Sequence, residues 1–229
     1  KVDGDEKVTG RAVFGADFTP QGSLFAKIVR SPHAHARILS IDTSEAEAMP
    51  GVETVCTAAD FPSEVSGDVD TGEVEIGIQF LANLIMGRRK ALFEGHPVAA
   101  VAATDIHIAE EAAKLVKVEY DVLPAVTDPI EAMSPEAPLL HEGLIATSLS
   151  GSADQPSNIA GHMEGGKGDV EKGFAESDVV IERTFKTALV HQGYIEPEAE
   201  TVHWRADGHM DVWGNSPGSL PLRQNLSHR

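Results

Sequence analysis

An α/β fold is the expectation for this chain, and three observations carry it. Apolar runs at 24–30, 38–41, 52–58 and 97–103 have strand length and are built largely on Val, Ile, Leu and Ala. Two stretches have helical character: 44–49 is rich in alanine and glutamate, and 106–116 spaces its apolar residues at helical intervals. The two kinds of segment alternate along the first half of the chain, the pattern of mixed helix and sheet layers.

In chain order, Gly10-Arg11-Ala12 opens a short, polar-flanked arm that runs to Asp17. Residues 24–30 and 38–41 are expected strands. Ser44 with Glu47 fits a capping box, and Pro50-Gly51 stops the helix that follows. Residues 52–58 are the next strand. Residues 63–77 are acidic, glycine-containing and weakly patterned, so an exposed loop is expected. The uncharged run 97–103 suits a strand buried on both faces. Helix 106–116 leads into a strand at 116–120, and 123–126 closes the unit with a turn at Pro124. The Pro-, Ser- and Gly-rich stretch 133–168 is too long for a loop inside one compact domain and is expected to connect two. Beyond it come a short helix at 169–174, a strand at 179–190, and two strands, 200–204 and 210–213, around the turn signal Asp207-Gly208. A helix begins at 217–228.

Composition narrows the function. A chain of 229 residues, 41% hydrophobic, can bury a core. Only 5% is aromatic, so that core is built on small and branched aliphatic residues. Eighteen Lys and Arg against 36 Asp and Glu leave a formal charge of −18, which repels phosphate backbones and speaks against a nucleic-acid partner. The single cysteine, Cys56, allows no internal disulfide framework and lies in an apolar run, as a buried small hydrophobe would. No apolar run approaches the roughly 20 residues of a membrane span. No signal peptide is visible, so a cytoplasmic protein is expected; a periplasmic one stays open because residues upstream of Lys1 can be missing.

Three runs invite chemical readings. In Arg30-Ser31-Pro32-His33-Ala34-His35-Ala36-Arg37-Ile38 two histidines alternate, as metal ligands on one strand face would. A zinc site needs a third ligand, and none stands nearby, so histidines that tie a loop to backbone are the preferred reading. Gly165-Gly166-Lys167-Gly168-Asp169 precedes a short helix but lacks the spacing of a phosphate loop, which favours a linker turn. Val190-His191-Gln192-Gly193-Tyr194-Ile195-Glu196-Pro197 sets polar groups inside an apolar stretch. It is either a bonded turn between strands or a loop at the edge of a cofactor cavity.

The first and third of these runs, Arg30 to Ile38 and His191 to Pro197, with Lys7-Val8-Thr9-Gly10-Arg11-Ala12, Pro50-Gly51-Val52, Phe93-Glu94-Gly95-His96-Pro97-Val98-Ala99, the stretch 120–125 and Val212-Trp213-Gly214, follow one another in an order and spacing that resembles the molybdenum-binding subunit of the xanthine dehydrogenase and aldehyde oxidase family. The resemblance covers nearly the whole chain and is weakest over 60–92. It implies an α/β-hammerhead domain at 1–132, a linker at 133–168 and the incomplete start of a first molybdopterin-binding domain at 169–229. It implies part of a molybdenum hydroxylase or dehydrogenase that oxidises an aldehyde, an N-heterocycle or a similar small substrate with water as the oxygen source and a glutamate as general base. It further implies a molybdopterin cofactor, in its cytosine dinucleotide form, with iron–sulfur clusters and FAD on partner domains or subunits. The implied partners are the remainder of the molybdenum subunit, an iron–sulfur subunit and an FAD subunit. Gln192 and His191 would lie near the molybdenum cavity. The family's Gly-Gly-Gly-Phe-Gly stretch and its catalytic glutamate are not among these residues, so no catalytic residue is assigned and the isolated chain is expected to be inactive. Glu196 is expected to support the fold. The alternative is a non-catalytic α/β module for assembly or protein interaction.

Overall fold

The computed structural model describes residues 3–64, 67–70, 75–143, 145, 147–148, 151–152, 154–159, 161–162, 165–216, 220, 222–223 and 226. The chain falls into two units, Lys1–Ala125 with Ile195–Arg229, and Val126–Tyr194.

The larger unit opens with a short helix α1 (Gly4–Val8), which the sequence did not announce. A 3-10 turn (Gly15–Asp17) follows. Strands β1 (Phe25–Arg30) and β2 (Ala36–Asp42) come next. Helix α2 (Ser44–Glu47) begins one residue earlier than a Ser44 cap requires. Thr43 is the N-cap, and its hydroxyl donates to the Glu47 carboxylate at 2.6 Å, while Ser44 donates to Asp42 at 2.6 Å. Two adjacent cap-type residues compete here, and Thr43 takes the position because Asp42 already holds Ser44. Strand β3 (Val52–Thr57) is as expected.

The stretch expected as an exposed loop is structured. β4 (Asp68–Asp70) pairs antiparallel with β5 (Glu75–Gly77), and helix α3 (Ile78–Ile85) follows directly. Charge and glycine mask the strand period, and α3 owes its anchorage to a residue outside its own sequence, described below.

After β6 (Lys90–Ala91) comes β7 (Pro97–Ala103), with the bounds the sequence indicated. It is the centre of a three-stranded antiparallel sheet, β1-β7-β3. Val98, Ala99, Val101 and Ala103 are fully buried, as an uncharged central strand must be. Helix α4 (Ile106–Leu115) is capped by Asp105, whose carboxylate accepts the His107 N–H at 2.8 Å. Ala109 and Ala112, three positions apart, face inward. Their small size lets the helix sit close over β7. The core joins Ala46, Ala99, Val101, Ala112 and Val116, with Val29, Ile41, Met49 and Val52 around it. Strand β8 (Lys117–Val122) completes a second antiparallel sheet, β6-β2-β8. Residues 123–126 continue as irregular chain through Pro124.

His96 is the pivot of this unit. It is fully buried and uses both ring nitrogens. Nε2 donates to the carbonyls of Asn83 at 2.9 Å and Leu84 at 3.2 Å, at the end of α3. Nδ1 accepts the Leu92 N–H at 3.1 Å, and Phe93 stacks on the ring at 4.5 Å. The carbonyl acceptors assign the proton to Nε2, so the bonded ring is neutral. Its backbone carbonyl accepts from Ser31 N at 2.8 Å, and Gly95 N donates to the Ser31 carbonyl at 2.8 Å. One residue thereby ties α3, the 92–96 turn and the 30–38 run together.

In the second unit, α5 (Pro129–Ala132) is capped by Asp128, which accepts the N–H groups of Ile130 at 2.8 Å and Glu131 at 3.1 Å. Asn158 organises the proline-rich stretch. Its amide donates to Ala132 O and Pro138 O, each at 3.1 Å, and its carbonyl accepts from Leu140 N at 3.0 Å. Short strands β9 (Thr147–Ser148), β10 (Gly151–Ser152) and β11 (Gly161–His162) form a small sheet in the order β10-β9-β11. Helix α6 (Val170–Ala175) is capped by Asp169. The strand expected at 179–190 is not formed. The segment is irregular chain with Ile181, Phe185 and Leu189 exposed, because a strand needs a ladder neighbour and none stands beside it among the described residues.

The larger unit resumes with β12 (Glu200–Trp204) and β13 (Met210–Gly214), an antiparallel hairpin. Gly208 turns it at φ +85°, a conformation glycine adopts freely, and the Asp207 carboxylate accepts the His209 N–H at 3.1 Å. The helix expected at 217–228 lies largely outside the described residues. Among them no helix is long and apolar enough to cross a membrane.

Burial holds the His96 imidazole below its ordinary pKa of 6.5, against the raising effect of its bonds to Asn83 and Leu84. The unfolded chain therefore takes up this proton before the folded one does. The contribution of His96 is complete above pH 6.5 and is lost as pH falls below it towards the depressed folded value. His96→Ala should cost about 2–4 kcal/mol at neutral pH, from three stranded backbone groups and the space left behind. Denaturant unfolding followed across pH 4 to 8 should show a shallower acid loss in His96→Gln than in the parent protein. Equal acid limbs would remove His96 from this role.

Candidate functional site

The run Arg30 to Ile38 forms a joint between backbone segments. His35 is 4% exposed, and its Nδ1 donates to Pro124 O at 2.7 Å, while its own carbonyl accepts from Leu123 N at 2.9 Å. His33 sets its ring edge-on to Tyr120 at 5.0 Å, and the Ser31 hydroxyl donates to its carbonyl at 3.1 Å. Arg30 donates to Gly95 O at 2.9 Å. The runs 30–38, 93–99 and 120–125 thus meet in one place. The loop-tying reading holds for His35, whose ring bonds the Pro124 carbonyl; the His33 ring instead packs on Tyr120. Among the described residues no group of three or more His, Cys, Asp or Glu is placed to bind a metal ion.

The glycine-rich run ends in a turn. Gly168 has φ +84°, and Asp169 spends its carboxylate on the Lys172 N–H at 2.9 Å, capping α6. Cys56 lies on β3 opposite Ala100, and partial burial followed by the charge of Asp60 pushes its thiol pKa up. A protonated thiol is a poor nucleophile, which agrees with the small-hydrophobe reading.

The structure places His191 and Gln192 together on an exposed turn at the end of the second unit. His191 Nδ1 accepts the Gly193 N–H at 3.0 Å, so in the neutral ring Nε2 carries the proton. Gly193 has φ +69°, which favours glycine and lets the turn reverse within one residue. Tyr194 is exposed on the same turn. The arrangement offers an imidazole N–H and a primary amide, a donor and a donor–acceptor, to whatever lies beside them. In the larger unit Glu196 is half-buried; the Lys7 pKa is raised chiefly by its bond to Asp3 and the Asp3 charge, with the charge of Glu196 adding least.

The hairpin of the larger unit carries a feature that sequence patterning missed. An open groove of about 660 Å3 is lined by Trp204, Met210, Val212, Trp213, Leu222 and Leu226. Both tryptophans were visible, but a strand pattern does not say which residues share a concave face. Asn215, just past β13, accepts the Ala199 N–H at 3.1 Å and closes the base of the hairpin.

Comparison with known proteins identifies the family of the chain. The family model described as aldehyde oxidase and xanthine dehydrogenase, a/b hammerhead domain, matches residues 9–124. A molybdopterin cofactor-binding domain model matches residues 152–228. The carbon monoxide dehydrogenase large chain of Afipia carboxidovorans is 34% identical over 95% of this chain and 27% of its own length. A probable xanthine dehydrogenase subunit of Bacillus subtilis is 32% identical over 99% of this chain and 28% of its own length. The chain therefore spans just over a quarter of the length of these relatives. Among solved structures, a Cu,Mo-CO dehydrogenase in its carbon monoxide reduced state covers 99% of this chain and 28% of its own, with a TM-score of 0.80 and 32% identity. The aldehyde oxidoreductase of Desulfovibrio gigas covers 97% of this chain and 24% of its own, with a TM-score of 0.73 and 27% identity. The two family matches and these relatives place this chain in the aldehyde oxidase and xanthine dehydrogenase family, as a hammerhead domain followed by the start of a molybdopterin cofactor-binding domain.

Proposed function

We propose that the chain is part of the large, molybdopterin-binding subunit of a molybdenum hydroxylase or dehydrogenase. The observation that carries this reading is the succession of the two family matches, 9–124 and then 152–228, on one chain whose fold follows a CO dehydrogenase over 99% of its length. The relatives' names span carbon monoxide, xanthine and nicotinate dehydrogenases. The substrate class is accordingly a small molecule with an oxidisable carbon: an aldehyde, an N-heterocycle or a relative of these. The cofactor is molybdopterin in its cytosine dinucleotide form, with iron–sulfur clusters and FAD carried on partner domains or subunits in the cytoplasm. The hammerhead domain occupies 1–132, a linker 133–168, and the cofactor-binding segment 169–229.

When bound, the molybdenum supplies Lewis-acid activation of water and takes up the electrons of the oxidation. This chain's contribution is polar contact at the cavity edge. Gln192 and His191 are the residues that would meet the cofactor, and their chemistry fits an organic group rich in carbonyl and ring nitrogen atoms. Gln192 keeps its amide exposed on a turn that Gly193 makes possible. His191 is fixed in one tautomer by Gly193 N–H, so in the neutral ring Nε2 is the donor. The exposed apolar residues of 179–190 support docking of this segment against the remainder of the subunit.

Gln192→Ala in the complete enzyme complex should lower turnover about tenfold, with melting temperature and molybdenum content per subunit unchanged, as for a residue orienting groups at a metal cofactor. A lower melting temperature with normal specific activity would make the turn structural only. Limited proteolysis should cut first within 133–168 and leave a folded piece of about residues 1–130, because Pro/Gly-rich connections are cleaved before packed strands. First cuts within 97–126 would reject that boundary.

A further inference from the structure

Residues at the start of the hammerhead match pack on the hairpin of the cofactor-domain match, although more than 180 positions separate them. The turn at Gly15–Asp17 is locked by its own ends: the Asp17 carboxylate accepts the Phe14 N–H at 3.0 Å, and Asp17 N donates to Phe14 O at 2.9 Å. This fixed turn meets the base of the hairpin at three points. The Thr201 hydroxyl, on β12, donates to Phe18 O at 2.9 Å. The Phe18 ring lies against Trp213, on β13, with centroids 4.9 Å apart. Gly15 approaches so closely that an added Cβ would stand 2.6 Å from Ala199 O and 3.5 Å from Gly214 Cα. The first two contacts grip opposite strands of the hairpin, and the third closes on the residue before β12. A polar contact, a ring contact and a backbone approach that excludes any side chain converge on one short arm.

Among the described residues the outward part of the hairpin is lightly packed. A two-stranded hairpin alone is marginal in water. Val202 and Trp204 are 55% and 70% exposed, so its outer end carries no packed layer.

We propose that the arm 14–18 is a strap by which the hammerhead segment sets the position and order of the cofactor-domain hairpin, and with it the aromatic groove and the Asn215 corner. The strap explains why the hairpin groups with residues 1–125 although it lies within the cofactor-domain match. It also gives the polar-flanked arm a structural role, since the arm carries one half of a long-range contact. The inference rests on contacts within the larger unit and is independent of where the cofactor binds.

Hydrogen–deuterium exchange on the full chain tests it. Gly15→Val removes the close approach, Phe18→Ala the ring contact, and Thr201→Val the hydroxyl bond. In Gly15→Val and Phe18→Ala, amides of Glu200–Gly214 should exchange at least about tenfold faster, while those of Phe25–Arg30 and Pro97–Ala103 keep parent rates, since local opening is reported segment by segment. Thr201→Val should give a smaller change in the same segment. Unchanged exchange at the hairpin in both larger variants would overturn the strap. Faster exchange spread equally over the hairpin and the β1-β7-β3 sheet would overturn it too, by making the arm a general stabiliser. Should Gly15→Val fail to fold, Gly15→Ala with Phe18→Leu provides the milder pair, read in the same way.

Discussion

A buried, neutral histidine is the constraint on which the larger unit depends. His96 sits where α3, the 92–96 turn and the 30–38 run come together, and its two nitrogens satisfy three backbone groups that would otherwise be stranded. Gly87 marks how tightly this joint is packed: a Cβ there would stand 3.3 Å from His96 Cε1 and 3.0 Å from Lys90 O. Leaving a buried donor or acceptor unpaired costs more than making the bond gains, so such a joint specifies one arrangement of its elements. The core around it is made of alanine and valine, which supply close packing but little shape of their own. The polar joint therefore does the specifying and the small apolar residues do the filling.

The elements legible in the sequence are those whose reasons are local. Pro97–Ala103 is an uncharged run bounded by proline, and only a central strand accommodates it. Ile106–Leu115 has its cap, its alanine face and its stop within the helix. The hairpin announces itself through Asp207-Gly208. What was not legible depends on distant partners. α3 is short and has no side-chain bond at its N-cap, and its end is secured by a histidine more than ten residues away. The opposite failure occurs at 179–190, where a local strand pattern exists without a ladder to join. Patterning is a necessary condition for a strand, and pairing is the other one.

The candidate site divides in the same way. That His35 ties the loop to backbone agrees with the reading drawn from the lack of a third ligand, whereas His33 packs its ring on Tyr120, a contact that no spacing announces. The turn at His191 and Gln192 was recognisable because polar groups interrupt an apolar stretch, and Gly193 supplies the backbone reason for it. The arm contact at Phe18 was invisible. A hydroxyl-to-carbonyl bond spanning most of the chain leaves no periodicity in either partner.

His35 and His96 are architectural and carry their protons on opposite ring nitrogens. Nitrogen-15 NMR of the imidazole rings tests this directly. At pH 7 the account predicts a proton on Nδ1 of His35, which donates to Pro124 O, and on Nε2 alone of His96, whose Nδ1 receives the Leu92 N–H. Neither pattern should change when zinc is added. A protonated Nδ1 on His96 at that pH, or a zinc-dependent shift at His33 and His35, would contradict it.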